Sequence, residues 1–373
     1  MHGIRQPYER GLGRAQRRGN SLSKDVFRGE IVMQARFGII EIPRSIEGAR
    51  ENSRLAEEHG FDMVGVADSQ SLFRELFVSL SVIGAASEKV ILGPTVTNPL
   101  TRHPAVMASG LASIQEISSG RAFLGIATGD SAIYNLGERP KGLAGLKEYI
   151  QALRHLFAGE HTEFGGKPIH TRWIGGLDQP TVPVYIAAEG PKTLELAGEI
   201  ADGVFCGMGF SPEVTKATLE HIAKGAERAG RSLDDIDIWA LGRVNVGADR
   251  SALVSEIRME LASTAHHAFR FTQKGKLVPP QFADAIREVQ QGYNPSHHED
   301  LGESPNAQLM QDPELLAYMV DRFAVLGTPE ECVSQIQRIR EAGIHQILFT
   351  GFVDHRPSLI KTLGRDVFPR CRN

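Results

Sequence analysis

The sequence predicts a (β/α)8 barrel with insertions between strands 4 and 5 and between strands 7 and 8. Three observations carry that prediction. Short apolar runs of β type alternate with segments of helical period from Arg36 onward. A joint of helix, then glycine, then apolar strand recurs in "RLAEEHGFDMVGVAD", "AGEIADGVFCG" and "RIREAGIHQILFTG". The length of 373 residues suits one barrel with insertions. Such alternation is the mark of parallel βα units, and eight of them favour a barrel over an open doubly wound sheet. The open sheet shares the same alternation, and closure is not legible in a sequence.

Taken in order, "RFGIIEI" is the first strand. "SIEGARENSRLAEEHG" is the helix after it, with Ile46, Ala49, Leu55 and Ala56 near helical spacing and Gly60 able to take the left-handed cap conformation. "FDMVGVAD" is the second strand and "KVILGPTV" the third. "HPAVMASGLASIQEISSG" is the next helix, and "RAFLGIATG" the fourth strand. The first insertion comprises the helix "GLKEYIQALRHLFAG" and the turn-rich "GEHTEFGGKPIHTRWIGGLDQP". Strands five to eight are "VPVYIAA", "DGVFCG", "DIDIWALG", with Trp239 packing in or over the barrel, and "HQILFTG". Between the last two lies an excursion from about Leu261 to Met310, carrying Phe269, Phe271, Pro279, Pro280, Phe282 and Tyr293. Long connections in a compact domain are usually functional, so it reads as a lid over the barrel mouth.

Composition narrows the function classes. Apolar residues make up 41% and charged residues 23%, ordinary for a globular protein. A formal net charge of −4, with no basic stripe interleaved with aromatics, argues against nucleic acid. The most apolar windows, such as "LFVSLSVIGAA", are too short and too interrupted to span a bilayer. Cys206, Cys332 and Cys371 form no CxxC pair, which fits a reducing cytoplasm better than a disulfide framework or a zinc site. Residues 1–32 are rich in arginine and glycine without an apolar signal segment. Glu9, Asp25 and Glu30 count against a transit peptide, so this stretch reads as a disordered N-terminal extension and residues 33–373 as a single domain.

In such barrels the active site lies at the carboxyl ends of the strands. The residues there are Asp68-Ser69-Gln70, Thr95 to Asn98, Thr128-Gly129-Asp130 and Ala188 to Lys192. The last stretch has an anion-binding logic. Glu189-Gly190 makes a tight turn, Pro191 suits a first helical position, and free N–H groups of the helix "KTLELAGEIA" would face the mouth. A dipole contribution of only about 0.3–1 kcal/mol leaves work for Lys192 and Thr193. An ordinary proline-initiated helix is the bland alternative.

"LGPTVTNPLTRHPAVMASGLASIQEISSGRAFLGIATGD" and "VYIAAEGPKTLELAGEIADGVF" resemble the luciferase-like superfamily of flavin- and deazaflavin-dependent oxidoreductases, most of all its methylenetetrahydromethanopterin reductase-like branch. The resemblance covers about residues 37–258 and 321–352, leaving out the tail and the excursion. It implies a TIM barrel with FMN or the deazaflavin coenzyme in its mouth. The coenzyme phosphate would sit at Ala188, Glu189, Gly190, Pro191 and Lys192. Thr128, Gly129 and Asp130 would line its ribityl and ring region, and Thr97 and Asn98 would lie near the ring. A non-prolyl cis peptide is implied near Thr95-Val96, and a homodimer or larger assembly is the family's habit.

Single residues offer weak catalytic candidates: Asp68, Thr97, Asn98 and His103. Arg102 and His103 invite a proton-shuttle or anion-binding reading, although His103-Pro104 equally starts a helix. Asp68 is an acid or base at the mouth, or a turn carboxylate. His266-His267 and His297-His298-Glu299-Asp300 lack the spacing of a metal site. Gly11-Leu12-Gly13 has no strand before it and is no dinucleotide fingerprint. Together these features lead to the expectation of an FMN-dependent two-component monooxygenase. It would take reduced flavin from a partner flavin reductase and use O2 to oxygenate a small organic substrate. The first rival is a deazaflavin-dependent reductase or dehydrogenase, favoured by the branch resembled. The excursion's aromatics, read as closing a cavity for a separate substrate, tip the choice to FMN. A non-catalytic flavin-binding protein would be supported if the excursion filled the mouth.

Overall fold

The structure of the chain is a computed structural model, which describes residues 34–178, 181–298 and 300–372. The extension expected at 1–32 lies outside them. Strands β1 (Arg36–Glu41), β2 (Met63–Val66), β3 (Ile91–Pro94) and β4 (Leu124–Ile126) precede a hairpin of β5 (Thr162–Phe164) and β6 (Lys167–Ile169). Then come β7 (Val184–Ala188), β8 (Gly203–Cys206), β9 (Asp237–Val246), β10 (Ala324–Gly327) and β11 (Gln346–Phe349). The parallel sheet runs β3-β2-β1-β11-β9-β8-β7-β4, with β10 attached to β9. Its two ends meet, because Leu92 bridges Ala122 and Thr97 bridges Ile126. The eight expected strands therefore close into a (β/α)8 barrel in chain order.

The surrounding helices are α1 (Ile46–Glu58), α2 (Leu76–Ala86), α3 (Pro104–Ile117), α4 (Ser131–Tyr134), α5 (Leu143–Phe157), α6 (Pro191–Ile200) and α7 (Pro212–Arg228). After β9 come α8 (Arg250–Glu256), α9 (Arg258–Phe269), α10 (Ala283–Gly292), α11 (Pro313–Phe323), α12 (Pro329–Glu341) and α13 (Arg356–Thr362). Their starts are written locally. Ser45 Oγ accepts from Gly48 N at 3.0 Å to cap α1, and Thr328 with Glu331 forms a capping box on α12. Gly60 and Gly343 take φ of +79° and +103°, as the joints predict. The third joint differs: α6 ends on an extended Ala201, and Gly203 is already the first residue of β8. Its glycine is demanded by packing, since a Cβ there would come within 2.2 Å of Tyr185 Cε1.

Inside the barrel, Met63, Phe123, Tyr185, Phe205, Trp239 and Leu348 fill the space below the mouth. Gly38 makes room for them, because a Cβ on it would lie 2.7 Å from Leu348 Cδ1 and 3.3 Å from Trp239. Polar groups at the floor converge on Asp237, which pairs with Arg36 and accepts from Gln346, from Tyr185 Oη at 2.7 Å and from Trp239 Nε1 at 2.9 Å. This is a sealed end. The open end is the other one, where the strands point at the loops.

The excursion packs into the fold. Leu261, Ala262, Ala265 and Phe269 of α9 join Ile286, Val289, Met310, Leu315, Met319 and Phe323 in a buried cluster continuous with Val244 and Val325. Its aromatics mostly face that core: Phe269 meets Phe323 edge-on, and Phe282 stacks on Tyr318. Of the aromatics expected to close a cavity, only Phe271 lines the mouth. The physical ground for preferring a closed oxygenation chamber is thereby removed.

Candidate active site

A cavity of about 1190 Å³ opens at the carboxyl ends of the strands. Asp68, Thr97, Asn98, Thr128, Gly129, Asp130, Glu189, Gly190, Pro191 and Lys192 all line it. Two other candidates do not. Ala188 turns its side chain into the helix-facing core, and its carbonyl accepts from Gly207 N at 3.1 Å. His103 stands before α3, its ring accepting from Ala105 N at 3.2 Å and meeting Phe164 edge-on.

The wall after β2 and β3 is a fixed network. Asp68 takes a fork from Arg102, with Nη1 to Oδ2 at 2.6 Å and Nη2 to Oδ1 at 3.2 Å, and accepts from Thr97 Oγ1 at 2.6 Å. Arg102 also reaches Glu75 at 2.8 Å. A buried carboxylate so bound is a positioning element, since breaking the pair would strand a charge. Asn98 Oδ1 accepts from Leu100 N and Thr101 N, both at 2.9 Å, and so shapes the turn into α3. The Thr95–Val96 peptide is cis, where the resemblance placed it.

On the opposite wall the sequence pointed to Asp130 but not to its partners from the excursion. Asp130, ahead of α4, meets His267 Nδ1 at 2.5 Å, Arg270 Nη1 at 2.9 Å and His266 Nε2 at 3.4 Å, all from the excursion. Arg270 also donates to Gly129 O at 3.0 Å. Burial would raise the Asp130 pKa, but His267 and then Arg270 outweigh it and hold the carboxyl well below its usual range. Burial likewise pulls down on the His267 imidazole, and Asp130 outweighs it, leaving that pKa raised. With Nδ1 committed to Asp130, Nε2 is the nitrogen that can exchange a proton with a ligand.

His298 lines the same cavity, with Tyr293 Oη at 2.5 Å from its Nδ1. Burial, then the charge of His267, pushes its pKa down to about 3, so it is neutral. Lys276 completes this wall, its Nζ donating to Ala268 O at 2.8 Å and Arg270 O at 3.2 Å. Burial lowers its pKa to about 8 against the pull of Glu189. One signal for this wall was available: His267 and Arg270 stand three apart at the end of a helix, a spacing that puts both on one face. Among the described residues no group of three His, Cys, Asp or Glu is arranged to hold a metal ion.

A barrel whose strand ends ring a large cavity, walled by one ion-paired carboxylate on each side, defines a ligand-binding barrel enzyme. The family model for luciferase-like monooxygenases matches residues 28–346, and the chain belongs to that family. A 5,10-methylenetetrahydromethanopterin reductase of Methanolobus tindarius is 30% identical over 89% of this chain and 99% of its own. An F420-dependent glucose-6-phosphate dehydrogenase of Nakamurella multipartita is 29% identical over 85% and 90%. In structure, the coenzyme F420-dependent tetrahydromethanopterin reductase of Methanopyrus kandleri superposes with a TM-score of 0.73 at 24% identity, covering 90% of this chain and 99% of that one. The protein is a flavin- or deazaflavin-dependent oxidoreductase.

These likenesses correct the expectation of an FMN-dependent two-component monooxygenase. Similar curated proteins are methylenetetrahydromethanopterin reductases and F420-dependent glucose-6-phosphate dehydrogenases. The grounds for expecting reduced FMN, a flavin reductase and O2 go with that expectation. The alternative of a non-catalytic flavin-binding protein called for a mouth filled by the excursion, and the mouth is a cavity. No helix among the described residues is long and apolar enough to cross a membrane.

Proposed function

We propose that the protein is a coenzyme F420-dependent oxidoreductase that exchanges a hydride between this deazaflavin and a small organic substrate. The supporting observation is its likeness, at 28–29% identity over 85% of its length, to F420-dependent dehydrogenases, beside the equally extensive likeness to methylenetetrahydromethanopterin reductases.

The residues fit such a group. A cavity of about 1190 Å³ exceeds the roughly 300–1,000 Å³ of single-ligand pockets, so coenzyme head and substrate have room together. At Gly190 any side chain would press on Lys276, leaving a small cradle beside a buried cation. Glu189 to Lys192 and the N-terminus of α6 would hold the phosphate. Thr128, Gly129 and Asp130 would flank the ribityl chain and ring, and Thr97, fixed by Asp68, would stand with Asn98 at the ring edge.

The bound deazaflavin supplies or accepts the hydride. This chain's side chains position, exclude water and manage one proton. The Asp130–His267 pair favours the protonated imidazole at the cavity wall, so Nε2 can protonate the substrate atom that gains electrons, or take that proton back in the reverse direction.

The test is an anaerobic assay of the protein with reduced coenzyme F420 and a panel of carbonyl and imine substrates. Reappearance of the visible absorbance of the oxidised deazaflavin is expected with at least one of them. Turnover with reduced FMN and O2, and none with reduced F420, would contradict the reading.

A further inference from the structure

The cavity's Asp68 and Asp130 are matched by Arg102 and Arg270, whereas the buried Lys276, which lines the cavity, forms no ion pair with a carboxylate of the described residues. It is only 5% exposed. Its ammonium donates to two main-chain carbonyls, and a third N–H remains. Glu189 acts on it from beyond ion-pair distance. Holding an ammonium in that state costs free energy unless an anion compensates it. A lysine kept there points to an anionic ligand.

Its position says which part of the cavity that ligand occupies. A Cβ built on Gly190 would approach Lys276 Cε at 3.2 Å and Nζ at 3.7 Å. Gly190 is the N-cap of the ten-residue α6, and no side chain caps that helix. The lysine is locked in place. Gly275, at φ +77°, lies against the Pro191 ring, where a Cβ would come within 2.9 Å of Cγ. Arg322 donates to Lys276 O at 2.6 Å and Leu277 O at 2.9 Å. The helix N-terminus and a buried ammonium thus face one small space from two sides.

We propose that Lys276 and the N-terminus of α6 form a two-sided clamp for the coenzyme's phosphate, and that Lys276 distinguishes the phosphorylated deazaflavin from the same chromophore without phosphate. The clamp rests on the deazaflavin reading of the cavity. It makes the excursion part of the coenzyme site and gives its "KGK" turn a function. The lysine is a binding and selectivity residue and takes no part in hydride transfer.

Fluorescence titration with coenzyme F420 and with its phosphate-free deazariboflavin chromophore tests this on the full chain. In Lys276→Met, affinity for F420 should fall about 10- to 100-fold, the range of a charged hydrogen bond. Affinity for the chromophore should stay as in the unsubstituted protein. The melting temperature of ligand-free Lys276→Met should rise, because an uncompensated buried charge has gone, and Lys276→Arg should keep most of the selectivity. Equal weakening of both ligands with a lowered melting temperature would overturn the proposal, making Lys276 a structural prop. Unchanged affinity for both would also overturn it. If the unsubstituted protein bound neither deazaflavin, the reading beneath the clamp would fall, an outcome separable from any loss confined to the variants.

Discussion

At the scale of residues, the site is governed by two largely shielded carboxylates with different partners. Asp68 is neutralised by Arg102 of its own wall, while Asp130 is neutralised by His267 and Arg270 from the excursion. The second pair titrates, and its signs are opposite for the two members. Asp130, with a lowered folded pKa, stabilises the fold above its unfolded value of about 3.9 and loses that contribution as pH falls through the folded value. His267, with a raised folded pKa, stabilises fully below about 6.5 and loses its contribution as pH rises through the folded value. Asp130→Asn should therefore drop the His267 pKa below the ordinary imidazole range, because burial and Arg270 then outweigh the weaker pull of Glu189. Titration of the His267 ring protons by NMR checks this. A pKa unmoved by the substitution would mean that the pair is not coupled.

At the scale of elements, the eight barrel strands were legible because each is an apolar run bounded by turn residues. β10 was not: "AVLG" is four residues long and stands directly after helix α11, so its period is hidden. The β5–β6 hairpin turns on Gly165-Gly166, both at positive φ, within a stretch whose sequence reads only as turn-rich. Closure was illegible for another reason. The seam between β3 and β4 depends on close backbone approach at glycines: a Cβ on Gly93 would sit 2.1 Å from Phe123 O, and one on Gly125 would sit 2.2 Å from Pro94 O. Gly125→Ala should destabilise the barrel by about 1–3 kcal/mol or more, since backbone cannot yield as a side chain can. Urea denaturation measures it, and a midpoint equal to that of the unsubstituted chain would show that the seam tolerates the methyl group.

At the scale of the whole molecule, the cavity has two origins. One wall comes from strand ends, and its residues Asp68, Thr97, Thr128 and Glu189 were legible because each stands just past the carboxyl end of an apolar run. The other comes from the excursion: His267 and His298 read there only as histidines without metal-site spacing, and Arg270 and Lys276 gave no signal, because their partners lie far away in sequence. Asp130 and His267 are 137 positions apart, a separation that only the closed barrel bridges. The three cysteines take no part in either wall: all are buried, and burial pushes Cys206 and Cys332 to about 12 and Cys371 to about 11, so none offers a thiolate.

The central claim is that this mouth is built for a deazaflavin coenzyme, and a calorimetric titration of the full chain with coenzyme F420 and with FMN, run side by side, tests it most directly. Saturable binding of F420 with no comparable heat from FMN is the predicted result. Tight binding of FMN with none of F420 would contradict it.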